Sequence, residues 1–81
     1  MDLGPLFKAL DAQPFRPIRI ALLNGERVRV DHPESITFQP GRHRVVLIHV
    51  TFAPGDDFTF FWPDAIAAVH VLGKDGDGNG P

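Results

Sequence analysis

The segment KDGDGNGP, residues 74–81, sets Asp75, Asp77, Asn79 and Gly80 on the D-x-D-x-N-G spacing that opens an EF-hand calcium loop. Such a loop closes on a bidentate glutamate at its last position and lies between two helices. Here no glutamate follows, and the residues before Lys74 read as a strand. Six of the last nine residues are Gly or Asp, a composition that buries too little surface to offset the entropy of ordering. Residues 73–81 are therefore expected to form a flexible tail, not a calcium site, behind a single small domain of residues 1–72.

His32, His43, His49 and His70, with Asp31 and Glu34, are side chains of the kinds that bind zinc or move protons near neutral pH. No two of the histidines stand at a recognised ligand spacing, and His49 and His70 lie in apolar runs, where a histidine more often fills a strand or an interface. Ser35, the only serine, neighbours Glu34 and His32 but lacks a strained turn such as G-x-S-x-G to present a nucleophile. The chain has no cysteine, which removes thiolate chemistry and disulfides and suits a reducing cytoplasm. No catalytic residue, metal or cofactor is expected.

Charge is segregated along the chain. Residues 16–44 carry Arg16, Arg19, Arg27, Arg29, Arg42 and Arg44 against Glu26, Asp31 and Glu34, a net of +3, whereas residues 45–72 carry only Asp56, Asp57 and Asp64. Arg16, Arg19, Arg27 and Arg29 could form a cationic stripe for a polyanion such as RNA. The same split could instead make one copy complementary to the next. His32-Pro33-Glu34 is open to two readings: a structural end to a strand, because proline biases the residue before it toward extended geometry, or a small recognition loop.

These residues need elements to hold them. GPLFKALDAQP spaces Leu6, Phe7 and Leu10 as a helix between Pro5, suited to a first turn, and Pro14, which must end it. FRPIRIALL alternates Ile18, Ile20 and Leu22 with Pro17, Arg19 and Ala21, the period of a half-buried strand. After Asn24-Gly25, ERVRVDHP resumes the alternation with Val28 and Val30 against Arg27, Arg29 and Asp31.

Directly opposed residues share a face of a sheet, so a two-residue Asn24-Gly25 loop would set Leu22 against Arg27 and Ile20 against Arg29, with arginines on the apolar side. A three-residue loop, Leu23-Asn24-Gly25 with Gly25 left-handed, pairs Ile20 with Val28 and Ile18 with Val30. Arg19 then faces Arg29, which calls for an acid such as Asp31 alongside or an anion there.

PESITFQPGRH, with two prolines and a glycine, reads as a loop around a short strand at residues 36–38. RVVLIHVTF, apolar on both faces, reads as a strand buried on two sides. FTFFW reads as an aromatic strand belonging to core and interface, PDAIA as one tight helical turn, and AVHVL as the last strand. A helix followed by five strands, with a one-turn helix before the fifth, describes a small SH3-like or Sm-like barrel.

IRIALLNGERV, residues 18–28, resembles the first strand and turn of the Sm-like family, especially its Hfq-type RNA chaperones, and FFWPDAIAAVHVL is similar in layout to that family's closing strand, turn and strand. The resemblance implies a barrel behind an N-terminal helix and an RNA partner. The strand after the turn lacks the glycine that bends Sm barrels, and Trp62-Pro63-Asp64 replaces the family's RNA-contacting lysine-histidine pair, so no RNA-contacting residue carries over. PFRPIRI, NG and VDHPE also match a group of short uncharacterised bacterial proteins, which implies the fold unit and no mechanism.

Two functions follow as expectations. One is a non-enzymatic module that self-associates and presents loops to a protein partner, oligomerisation being a common remedy for a chain of 81 residues that buries only about 60% of its surface. The other is an Sm-like binder of RNA using the arginine stripe. The N-terminus does not read as a signal peptide and no apolar stretch approaches the roughly 20 residues of a membrane span, which points to the cytoplasm and to no membrane partner.

Overall fold

The computed structural model describes residues 2–52 and 57–73, so the tail at 74–81 with its calcium-like spacing lies outside the described residues. The chain begins with α1 (Gly4–Leu10) and continues with β1 (Ile18–Leu22), β2 (Arg27–Val30), β3 (Ile36–Gly41), β4 (Arg44–Thr51), β5 (Phe58–Phe61) and β6 (Ile66–Val71). Single 3-10 turns at Pro33–Ser35 and Pro63–Ala65 precede β3 and β6. The strands form two antiparallel sheets of three, ordered β2-β1-β6 and β3-β4-β5.

The expected five-stranded closed barrel is corrected on two counts, strand number and closure. Pro33, whose ring removes an N–H and fixes φ, follows extended His32 and starts a 3-10 turn, so no ladder runs on from β2 into β3. The stretch expected to be mostly loop is instead the six-residue strand β3. Pro40 is tolerated there because β3 is an edge strand and its register slips between Gln39 and Pro40.

The β1–β2 hairpin has the register that parity demands. Ile18 pairs with Val30 and Ile20 with Val28, which sets Arg19 opposite Arg29. The Leu22 N–H donates to the Glu26 carbonyl at 2.8 Å and the Gly25 N–H to the Leu22 carbonyl at 3.0 Å, closing the three-residue loop. Gly25 has φ +94°, and the Asn24 side-chain oxygen accepts the Glu26 N–H at 2.9 Å.

Both sheets and α1 meet in one core. Ile18, Ile20, Leu22, Val28, Val30 and Ile66 face Ile36, Ile48, Val50 and Phe61, while Leu6 and Leu10, one helical turn apart, close one side. Each such side chain removed from water is worth about 1.5–3 kcal/mol. β4 is not buried on both faces as its composition suggested. Ile48 and Val50 are buried, whereas the outward Leu47 and His49 are half-buried and Val46, at the register slip, is exposed.

The loop glycine gives a direct check. A Cβ at Gly25 meets nothing within 4 Å, so any penalty there comes from backbone conformation alone. Gly25→Ala is expected to destabilise the fold by about 1–2 kcal/mol in a denaturant melt, from the left-handed φ. An unchanged midpoint would show that the loop relaxes to another conformation.

Candidate functional site

The outer face of β2-β1-β6 is basic. The Leu22–Glu26 hydrogen bond fixes the alternation of the β1–β2 ladder and makes Arg19 and Arg29 a non-hydrogen-bonded pair, the class with the closer side chains. On its other side Arg19 pairs with His70, so Arg29, Arg19 and His70 form a row across the sheet. Arg27 lies two residues along, opposite Ala21. The Arg29 Nε donates to Asp31 Oδ1 at 2.6 Å, the acid that the like-charged pair called for. Among the described residues, no side-chain hydrogen bond or ion pair holds Arg19 or Arg27. Arg16 does not join the row through its charge. Its Nε donates to the Leu72 carbonyl at 3.0 Å, tying the start of β1 to the end of β6.

His32, Pro33 and Glu34 are exposed at the corner between the sheets. The Ser35 N–H donates to the His32 carbonyl at 3.0 Å, and Thr51 Oγ1 donates to the Ser35 carbonyl at 3.3 Å, so the segment is held by its backbone. The hollow beside it, between Arg29, Asp31, His32 and Phe52, measures only about 50 Å³. No side-chain hydrogen bond joins Ser35 to His32. Among the described residues, no three His, Asp or Glu side chains gather as metal ligands, and no polar or charged side chain is buried.

The outer face of β3-β4-β5 is aromatic. Inward-facing Phe61 turns Phe58, Phe60 and Trp62 outward, and these are 57%, 52% and 64% exposed. Phe58 and Phe60 stack at 5.8 Å between ring centroids with planes 15° apart, and the half-buried His49 ring lies 5.2 Å and 6.0 Å from them. Only Phe61 of FTFFW belongs to the core.

Trp62 also borders an open groove of about 600 Å³ between the start of α1, the β3–β4 turn and the second 3-10 turn, with Phe7, Arg42, His43 and Val46 among its walls. Arg42 links these parts. Its guanidinium lies 4.9 Å from the Phe7 ring centroid and 5.8 Å from that of Phe38, and it donates to Asp11 Oδ2 at 2.9 Å. That hydrogen bond holds the Asp11 carboxyl below its ordinary value of 3.8.

Searches of protein-family models, curated proteins and solved structures returned no match. Composition alone left the aromatic row undivided between core and surface. The signal that divides it is parity: once Phe61 points inward, Phe58, Phe60 and Trp62 point outward. Nothing in the sequence pairs His70 with Arg19, because that contact joins strands about fifty residues apart.

A carboxyl held low in the fold adds stability that is present above its unfolded pKa and is lost as pH falls through the lowered value. Asp11→Asn should therefore lower the melting temperature slightly at neutral pH and leave it unchanged in acid below the lowered folded-state value. Arg42→Ala should lower it at both, because its contact with the Phe7 and Phe38 rings, worth about 0.5–1 kcal/mol at an exposed site, does not depend on Asp11. Equal losses for Asp11→Asn at both pH values would contradict a charge contribution.

Proposed function

We propose that this chain is a non-enzymatic β interaction module that self-associates through the aromatic outer face of β4 and β5. The observation that carries this reading is the exposure of Phe58, Phe60 and Trp62 together on one side of an edge strand. Contiguous exposed apolar surface of this kind marks interaction sites on small proteins. The cysteine-free composition suits a cytoplasmic setting.

Light scattering should give a mass above that of the 8.9 kDa chain at high micromolar concentration. Phe60→Lys, which puts a charge on the edge outside the core, should return the protein to monomer with its circular dichroism unchanged. A monomer at every concentration would end this reading.

A second reading rests on Arg19 and Arg27, which no described acid holds, in a basic row with Arg29 and His70: an RNA-binding surface of Sm-like type. The aromatic row lies on the outer side of the other sheet, so bases could not stack there while phosphates meet these arginines, and this ranks the reading second. If it is right, single-stranded RNA binding should weaken with salt by roughly one log-log unit per phosphate contact, and Arg19→Ala with Arg29→Ala should flatten that slope. The expected result is no binding at low salt, before or after the double change. Salt-sensitive micromolar affinity of the unmutated protein would reverse the order of the two readings.

A further inference from the structure

We propose that two copies join antiparallel through β5 about a two-fold axis, with Phe60 opposite Phe60 of the second copy and Phe58 opposite its Trp62. The two β3-β4-β5 sheets then become one six-stranded sheet. This rests on the self-association reading above and says how it is done.

The free edges of the two sheets are unequal. β2 carries Arg27 and Arg29, β3 carries Pro40, and β6 has α1 packed alongside it, all devices that discourage further pairing. β5, with the sequence FTFF, carries no charge and no proline. Among the described residues it is the edge with neither charge, proline nor a contacting helix.

Its backbone is turned the right way. The Phe52 N–H donates to the Asp57 carbonyl at 2.9 Å, which marks 52 and 57 as a hydrogen-bonded pair. Antiparallel alternation then makes Val50–Thr59 and Ile48–Phe61 hydrogen-bonded pairs as well, leaving the N–H and C=O of Phe58 and Phe60 pointing away from β4. Trp62 continues the extended course at φ −84°, ψ 151°. Its carbonyl accepts the Ala65 N–H at 2.9 Å and retains a second lone pair.

Parity then selects the register. Opposed residues must share a face, and the two self-pairings that engage most of β5 set either Phe60 or Thr59 opposite itself. The Thr59 register pairs Phe58 with Phe60 and leaves Trp62 without an aromatic partner. The Phe60 register forms three aromatic pairs from the three exposed rings of each copy. Those rings place on the order of 400 Å² of apolar surface per copy at the edge, about half of what a standard interface buries per partner. The backbone bonds and the flanking side chains supply more. Phe58 and Phe60 are already stacked on each other beside the His49 ring, so little rotamer freedom remains to be lost on pairing.

Amide hydrogen exchange of the unmutated protein, compared between dilute and concentrated samples, reads the edge directly. The Phe58 and Phe60 amides should gain about tenfold or more protection on concentration while light scattering reports a dimer. A cysteine placed in this cysteine-free chain reads the register. In the proposed pairing the two residues at position 60 have Cα atoms about 5.5 Å apart, within disulfide reach, and those at position 59 are offset beyond it. Phe60→Cys should therefore cross-link under mild oxidation and Thr59→Cys should not. A monomer would overturn both this inference and the self-association reading. An oligomer without protection of Phe58 and Phe60, or a ring of six or seven copies, would overturn two-fold edge pairing and leave self-association standing. Cross-linking through position 59 and not 60 would overturn the register.

Discussion

The structure depends on one constraint: a chain of 81 residues has a single core, and each strand can give it only alternate side chains. β1 satisfies this most strictly, with Ile18, Ile20 and Leu22 inward between β2 and β6. The three-residue loop ending at left-handed Gly25 keeps β2 in phase with it. A shift of one residue there would carry Arg27 and Arg29 into the core, at a cost far above any gain from a tighter turn. What lies outside follows by subtraction. Arg19 meets Arg29 and His70 because Ile18 and Ile20 must meet valines.

The same smallness leaves both outer faces bare. α1 has seven residues and is used in closing one side of the core with Leu6 and Leu10, so among the described residues no layer covers the back of either sheet. The two bare faces then differ in kind. One carries arginines and a histidine across three strands, and the other carries stacked phenylalanines beside His49. They lie on opposite sides of the shared core, so a partner using one leaves the other free. Among the described residues, no helix is long and apolar enough to cross a membrane, and these faces belong to strands.

Much of the fold is legible in local sequence, for physical reasons that can be named. The hairpin register follows from charge exclusion, α1 from Pro5 and Pro14, and the turn before β6 from Pro63. What is not legible depends on where a strand lies in its sheet. Pro40 and Gly41 read as breakers, yet an edge strand with a register slip accommodates them, because proline's missing N–H need not cost a ladder bond on an edge strand. Pro33 has the larger effect, since it divides what would otherwise run from one sheet into the next and so opens the expected barrel. RVVLIHVTF reads as doubly buried because composition reports apolarity and not the presence of a covering layer. Of the stripe residues, Arg19, Arg27 and Arg29 share a face by alternation, whereas Arg16 precedes the strand and is drawn to the Leu72 carbonyl by a contact across the chain.

An exposed aromatic edge has a cost of its own, which bears on why β5 is built as it is. A flat apolar edge with free backbone groups is a template for open-ended association, and natural sheets suppress it with charge, proline or cover. β2, β3 and β6 each show one of these devices. On β5 a single lysine in place of Phe60 would supply the charge without touching the core, since Phe60 already points outward. An edge that does without so simple a guard is consistent with one that is used. A pairing that brings β5 against itself about a two-fold axis closes after two copies, because each edge is consumed by the other. A head-to-tail contact between β5 and a different edge leaves a free end at every addition unless its rotation closes a ring. Self-pairing would therefore turn the hazard of the aromatic edge into the smallest assembly that removes it.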